Sequence, residues 1–188
     1  MAAADWRDGC ETLNRGVRRK VQERREMSPA THIEIRQAGP EDAAPIAVVL
    51  YESFVEFKVL YTEAAFAATT PSADQVVTRM IEGPVWIAVR EAIIMGTVAA
   101  VIKSPEVYIR GMGVVPAARG SGAGSRLLRQ VETWATSKES ARLVLSTTPF
   151  LHSAIRLYEK SGFQRTDRGP HDLFGTPLFT MEKTISSQ

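Results

Sequence analysis

The sequence predicts an α+β domain in which largely antiparallel strands pack as a sheet against helices. Two apolar segments, 84–91 and 93–103, follow each other with almost no residues between them, which favours a β-hairpin. The segment 124–138 places its apolar residues on one helical face. The order around them is a meander of strands, then strand–helix–strand–helix, then two closing strands, and this order predicts a sandwich of sheet and helices.

The elements of the first half rest on local signals. Residues 32–38 (HIEIRQA) alternate between polar and apolar and predict a strand. Residues 39–57 predict a helix, because a proline and two acids stand at its start. Residues 72–83 predict a second helix that ends at Gly83, whereas 61–70 (YTEAAFAATT) favours neither helix nor strand.

The second half continues with a strand at 106–115, closed by Pro116. Residues 152–162 (HSAIRLYEKSG) predict a helix that stops at Gly162, a residue type common just after helix ends. The other predicted strands are 141–148, 163–168 and 177–185.

Composition limits the possible functions. A chain of 188 residues, 44% hydrophobic, is large enough for one domain with its own core. A net charge of +2 gives no support to a nucleic-acid partner. The single cysteine, Cys10, excludes an intrachain disulfide and a cysteine-based zinc site, and we expect no metal. The longest apolar run, 92–102, is too short to span a bilayer. No secretory signal is visible, so we expect a cytoplasmic protein without membrane contacts.

Residues 1–30 differ from the rest of the chain. They are rich in charge and poor in large apolar groups, so we expect a leader that is disordered or forms a short helix. A basic tail that contacts a partner is the alternative. The domain itself is predicted to occupy residues 31–188.

The stretch RGSGAG, 119–124, stands between a predicted strand and a helix that begins near Ser121. The first amides of a helix have no internal partners, and the helix dipole favours an anion there. Glycines at three alternate positions let a phosphate approach the backbone, and Arg119 adds a charged contact or caps the loop. The alternative is a glycine-rich turn packed on the sheet.

Two common phosphate-binding motifs do not fit this loop. A P-loop needs a lysine that GSGAGSR lacks. A dinucleotide fold needs a different glycine spacing and a carboxylate after the next strand, where the chain reads VLSTT.

The loop resembles the pyrophosphate loop of the GCN5-related N-acetyltransferase (GNAT) family, Gln/Arg-x-x-Gly-x-Gly/Ala, at Arg119, Gly122 and Gly124. A second motif of that family, Ala-x-x-Leu-Tyr-Glu-Lys-x-Gly-Phe, is matched in the segment 154–163. The resemblance extends over about residues 32–184 and is strongest over 107–165.

The resemblance implies a fold and a co-substrate. It implies a mixed, mostly antiparallel sheet flanked by helices, in which two parallel strands splay apart to form the cleft for acetyl-coenzyme A. Main-chain groups of one strand would bind the pantetheine, at Met112, Gly113 and Val114. The loop would bind the pyrophosphate, through Arg119, Gly120, Ser121, Gly122, Ala123, Gly124 and Ser125.

The resemblance also implies chemistry. The acetyl group would pass by direct attack, in a ternary complex, to a primary amine of a small molecule or of a protein or peptide. Tyr158 matches the residue that protonates the departing thiolate, and the amide of Val114 would stabilise the oxyanion. The alternative for Tyr158 is a core aromatic residue, since its helix is apolar.

The sequence departs from the family pattern at two positions. Leu151 replaces a frequent asparagine, and the strand before the loop has Tyr108 and Arg110 where relatives often have a carboxylate base. Glu106 is the nearest acid on that strand and is our candidate base. Other candidates, besides a water chain, are Glu52, Glu56 and His152.

The acceptor and the assembly are less defined. His171 and Asp172 are weak acceptor-site candidates in a loop between the last strands, and Arg110 would suit an acidic group on the acceptor. The last strand, 177–183, offers an edge for a homodimer. The competing functions are a non-catalytic acyl-coenzyme A sensor and a dinucleotide oxidoreductase.

Overall fold

The computed structural model describes residues 32–185, so the predicted leader, 1–30, lies outside the described residues. Strands occur where the alternating and apolar segments predicted them, with one additional short hairpin. The strands are β1 (Glu34–Gln37), β2 (Val85–Arg90), β3 (Ile93–Lys103), β4 (Glu106–Val114), β5 (Arg142–Thr147), β6 (Gln164–Thr166), β7 (Asp172–Leu173), β8 (Thr176–Pro177) and β9 (Phe179–Thr184).

The helices of the described residues follow the amphipathic segments. They are α1 (Ala43–Phe54), α2 (Glu63–Thr69), α3 (Ala73–Glu82), α4 (Ala123–Ser137) and α5 (His152–Lys160). The segment that favoured neither helix nor strand therefore contains α2, and Thr62 caps this helix through its hydroxyl oxygen. The first predicted helix is shorter than expected, because the chain continues from Val55 to Leu60 as a 3-10 helix. None of the helices between residues 32 and 185 is both long and apolar enough to cross a membrane.

Seven strands form one sheet in the order β1-β2-β3-β4-β5-β9-β6. Only β4 and β5 run parallel within it, and every other neighbouring pair is antiparallel. The predicted α+β class with one parallel pair is therefore confirmed. The parallel sheet on which the dinucleotide hypothesis depends is not present in the described residues.

The predicted hairpin between β2 and β3 is confirmed. Glu91 and Ala92 form its two-residue turn with φ angles of 52° and 64°, as tight hairpin turns require. The prediction that the last strand offers a free edge for a homodimer is wrong. β9 is hydrogen-bonded to β5 on one side and to β6 on the other. The edge strands of this sheet are β1 and β6.

The sheet separates two apolar clusters. On one face, side chains of β3, β4 and β5 pack with α4 and α5 around the fully buried Leu127 and Val131. On the other face, α1, α2 and α3 cover β2 and β3, with Ile46 and Ile87 at the centre. Along β4, Val107 and Ile109 therefore enter the first cluster, while Arg110 points to the side of α3 and pairs there with Glu82.

The start of α1 is held by a buried carboxylate. Asp42 is 5% exposed, accepts two hydrogen bonds from Arg36 at 2.7 and 2.8 Å, and accepts one from the amide of Gly39 at 2.9 Å. The Arg36 hydrogen bonds hold the pKa of Asp42 below its ordinary value of 3.8, although desolvation opposes them.

We expect Asp42→Asn to lower the free energy of unfolding at pH 7 by about 2 kcal/mol, because it weakens charged hydrogen bonds at a buried site. The folded-state pKa is depressed, so this contribution exists above the ordinary pKa of 3.8 and is lost as the pH falls below it. Denaturant titrations of both proteins at several pH values check this. The exposed first-turn acid of α3 provides the control, and Asp74→Asn should cost less than about 1 kcal/mol.

Candidate active site

A cleft opens where β4 and β5 separate. Their parallel pairing ends at Ile109 and Leu145, although β4 continues to Val114 and β5 to Thr147. An irregularity in the β3–β4 pairing places Gly111 at a φ of +56°, as a β-bulge requires. A cavity of about 640 Å³ lies between the separated strand ends and extends to the start of α4. The main chain of β4 beyond Ile109 is thus open to a ligand on the side that faces β5.

The glycine loop at the start of α4 has the geometry of an anion site. Gly120 and Gly122 have φ angles of +79° and +87°, and a Cβ atom at either position would meet nothing within 4 Å. The amides that donate to no other described residue belong to Gly120, Gly122, Ala123, Gly124 and Ser125. These main-chain donors, at the positive end of a 15-residue helix, fit a diphosphate.

Two predicted loop residues have other roles. The amide of Ser121 already donates to the carbonyl of Ala118 at 3.3 Å, and Ser121 does not line the cavity. A Cβ atom on Gly124 would lie 2.8 Å from Leu157 Cδ2, so this glycine is required by the contact between α4 and α5. The predicted set of coenzyme-binding residues thus lines the cavity except at Ser121.

Arg119 ties the loop to α1. Its Nη2 donates to the carbonyl of Ser53 at 3.1 Å, and its guanidinium forms an ion pair with Glu56. Ser53 also packs against β4, because a Cβ atom on Gly113 would lie 2.8 Å from Ser53 Oγ. Arg119 therefore positions the loop against the end of α1, which agrees with the capping alternative for this residue.

Tyr158 lies on α5 at the cavity wall and is 7% exposed. Its ring packs against Phe163, with 5.9 Å between ring centroids. Its hydroxyl makes no hydrogen bond to another described residue. Burial raises the pKa of Tyr158 well above its ordinary value of 10, and the nearby Tyr61 and Tyr108 raise it further. The hydroxyl therefore stays protonated at neutral pH.

Glu106 lies at the opposite end of β4 from the loop. Arg168 donates to it at 2.7 and 3.2 Å, and Arg142 lies 3.6 Å away. The hydrogen bonds from Arg168 hold the pKa of Glu106 below its ordinary value. Met112 is six residues further along the strand, about 20 Å at 3.3 Å per residue. Glu106 does not line the cavity, and the structure does not bring it to Tyr158.

The other candidate bases and acceptor residues also lie outside the cavity lining. All five are exposed: Glu52, Glu56, His152, His171 and Asp172. Asp172 instead accepts a hydrogen bond from the amide of Gly175 at 3.0 Å within the β7–β8 hairpin. Leu173 and Leu178 reach the cavity from this region in place of the two polar candidates.

The cavity is lined by basic and neutral side chains. Among the described residues that line it there is no Asp, Glu or His. Its five basic residues are Arg79, Arg110, Arg119, Arg156 and Lys160. Sequence reasoning missed three of them. The sequence could have indicated Arg156 and Lys160, since a spacing of four residues places both on one face of α5, the helix of Tyr158. No sequence pattern indicates Arg79, because only the packing of α3 brings it to the cavity.

Aromatic side chains form another part of the cavity wall. Phe57 and Tyr61 line the cavity, and both pack against Phe150, with centroid distances of 6.3 and 4.9 Å. The segment that carries Phe57 is the 3-10 helix that follows α1. This wall is apolar and suits an uncharged part of a ligand.

Comparison with known proteins places this geometry in a family. A family model described as "Acetyltransferase (GNAT) family" matches residues 50–163. The chain is 36% identical over 103 residues to an IAA acetyltransferase of Azospirillum brasilense, a match that covers 53% of this chain and 66% of that protein. It is 29% identical over 65 residues to aminoglycoside N(6')-acetyltransferase type 1 of Salmonella typhimurium, covering 35% and 45%. The chain thus spans at most about two thirds of the length of these curated relatives.

A solved structure shares the fold. The PaiA N-acetyltransferase of Thermoplasma acidophilum, crystallised in complex with coenzyme A, superposes with a TM-score of 0.71 at 20% identity. The match covers 81% of this chain and 99% of that one. At this identity the likeness supports the fold alone.

Proposed function

Because the chain belongs to the acetyltransferase (GNAT) family, we propose that it transfers an acetyl group from acetyl-coenzyme A to a primary amine. The acceptor is the amine of a small molecule or of a peptide, and both substrates bind in one ternary complex. The observation that carries this proposal is the continuous cavity, which joins the open amides of the glycine loop, the free edge of β4 and Tyr158.

The residues around the loop fit the coenzyme. The free amides and open space at Gly120 and Gly122 suit its diphosphate, while Arg156 and Lys160 add positive charge beside them. Met112, Gly113 and Val114 present main-chain groups along the unpaired edge of β4, where the two amides of pantetheine would bind as a strand does. The thioester supplies an activated acyl group, so the protein needs no nucleophile of its own.

Tyr158 acts as the general acid. Its phenol is neutral at physiological pH, faces the cavity and has no competing acceptor among the described residues. It donates its proton to the sulfur as the carbon–sulfur bond breaks. The amide of Val114 is the donor that we propose for the carbonyl oxygen as negative charge develops there.

The attacking amine loses its proton to water. No carboxylate or imidazole lines the cavity among the described residues, so a side-chain base beside the amine is not part of this mechanism. The excess of basic over acidic side chains at the wall favours the neutral amine over its ammonium form, although Glu82 and Glu56 pair with two of the five basic residues. Much of the rate would come from positioning the two substrates together.

We expect Glu106→Gln to keep kcat/KM within about twofold of wild type, since a residue outside the cavity makes no contact that differs in the transition state. Steady-state kinetics with any accepted amine check this. Glu182→Gln is the matched control, because Glu182 accepts from the same Arg168 at 2.7 Å. A loss of about 100-fold for Glu106→Gln alone would restore Glu106 as the base.

The assay for the function itself combines two readouts. Purified protein is incubated with acetyl-coenzyme A and a broad panel of amines, thiol release is followed by absorbance, and acetylated amine is identified by mass spectrometry. Transfer to at least one amine supports the proposal.

A non-catalytic acyl-coenzyme A sensor is the second candidate, favoured by the absence of a side-chain base in the lining that the structure describes. Binding of acetyl-coenzyme A in calorimetry, without turnover across the whole panel, would support the sensor and contradict the enzyme.

A further inference from the structure

Two arginines meet in the cavity on the face of β4 that is turned toward α3. Arg110 is on β4 and Arg79 is on α3, and both line the cavity. A Cβ atom on Gly111, the residue after Arg110, would lie 3.5 Å from Arg79 Nη1. Arg79 thus reaches the strand beside Arg110, and burial and the charge of Arg110 both lower the pKa of Arg79, so the two guanidinium groups lie near each other at the cavity wall.

The charges at this point are not balanced. Glu82 is the ion-pair partner of Arg110, and its side chain is 46% exposed, whereas that of Arg110 is 26% exposed. Arg79 has no ion-pair partner within 4 Å among the described residues, and its Nη2 donates to the carbonyl of Ala68 at 2.8 Å. Two cations against one carboxylate leave a net positive charge at the cavity wall.

The donors at this point are also not satisfied. Arg110 Nε is buried and has no hydrogen-bond partner in the described part of the chain. Buried donors are rarely left without a partner, and a guanidinium offers paired N–H groups that match a carboxylate. Burial and the neighbouring Arg110 lower the pKa of Arg79, so an anion between the two would relieve both desolvation and repulsion.

We propose that the acceptor amine also carries a carboxylate, and that Arg110 and Arg79 bind this carboxylate. The inference rests on the proposed acetyl transfer and names its substrate class: amino acids and related amino-carboxylates. Arg110 precedes Met112 by two residues, about 7 Å along a strand, so one small molecule can reach both the carboxylate site and the acyl group. The aromatic wall of Phe57 and Tyr61 receives its apolar part.

The same charges disfavour a polycationic acceptor. An aminoglycoside carries several ammonium groups, and of the five basic side chains in the lining described here only Arg110 and Arg119 are paired with carboxylates, those of Glu82 and Glu56. Like charges brought together in a partly desolvated cavity repel. We therefore expect this chain to differ in acceptor from the aminoglycoside acetyltransferase to which it is similar.

The test compares L-amino acids with the corresponding L-amino acid amides, which differ only in the carboxylate, and includes kanamycin as the polycation. We expect kcat/KM, corrected for the fraction of neutral amine, to be at least about tenfold higher for the best acids than for their amides. Arg110→Gln should lower the value for acids by about 10- to 100-fold and the value for amides by less than about threefold.

Two further variants separate an effect on acceptor binding from a loss of folding. Glu82→Gln removes the competing carboxylate and should strengthen the binding of acids, opposite in direction to Arg110→Gln. Arg129→Gln, an exposed arginine of α4, is the neutral control. Opposite shifts in Glu82→Gln and Arg110→Gln cannot arise from a simple loss of folding, which thermal melts monitor in parallel.

Failure of this inference is distinguishable from failure of the proposed function. Transfer that prefers amides or kanamycin, or an Arg110→Gln effect that is equal for acids and amides, would overturn the acceptor class and leave acetyl transfer intact. If no amine is acetylated, acetyl transfer fails. In that case calorimetry of the same acids and amides on coenzyme A-loaded protein still decides, and equal affinities would reject the carboxylate site.

Discussion

Gly122→Asp is expected to weaken binding of coenzyme A by at least about 100-fold in isothermal titration calorimetry. The substitution places a carboxylate among the amides that we propose bind the diphosphate, in space where a Cβ atom meets nothing within 4 Å. The left-handed backbone at Gly122 adds a conformational cost of about 1–2 kcal/mol for any side chain.

Asparagine at the same position separates charge from conformation. Gly122→Asn has nearly the same shape, is neutral and tolerates a positive φ better than most residues, so it should weaken binding by less than about tenfold. Equal losses for both variants would show that backbone strain, and not phosphate repulsion, accounts for the effect. Normal binding by Gly122→Asp would show that the diphosphate lies elsewhere.

Tyr158→Phe is expected to lower kcat by about 100-fold or more while the Kd for coenzyme A stays within about threefold of wild type. The phenylalanine keeps the packing against Phe163 and removes only a hydroxyl that makes no hydrogen bond to another described residue. Single-turnover kinetics and calorimetry together separate the chemical step from binding.

A second tyrosine serves as the matched control. Tyr108→Phe removes a hydroxyl from the same cavity on β4, and we expect it to lower kcat by less than about tenfold. Equal turnover by Tyr158→Phe and wild type would leave Tyr158 as a core aromatic residue. Equal losses in both variants would assign the effect to the polarity of the cavity.

The fold was predictable from the sequence because its signals are local. The two-residue hairpin between 84–91 and 93–103, and the apolar face of 124–138, each lie within one segment of chain. The sequence left the structure open where tertiary contacts decide it. The segment 61–70 becomes helical in α2, where Phe66 packs beneath α1, a contact that no local pattern displays.

The residues of the candidate site also fall into two groups, those in contiguous motifs and those that only tertiary packing brings together. The glycine loop and Tyr158 could be proposed from the sequence because each belongs to a contiguous motif, and both line the cavity. Glu106 stays an untested prediction, and the structure places it outside the cavity lining, at the end of β4 where Arg168 and Arg142 contact it. The pair formed by Arg79 and Arg110 joins residues 31 positions apart through the packing of α3, so only the three-dimensional structure could reveal it.

The absence of a side chain at Gly124 has a mechanical consequence. Leu157 Cδ2 occupies the space that a Cβ atom would need, 2.8 Å away, and the next residue of α5 is Tyr158. An alanine there would require the Leu157 side chain to shift, even though alanine alters no charge. One interhelical contact thus joins the start of α4 to the part of α5 that carries Tyr158, so a change at the proposed diphosphate loop also reaches the helix of the proposed acid.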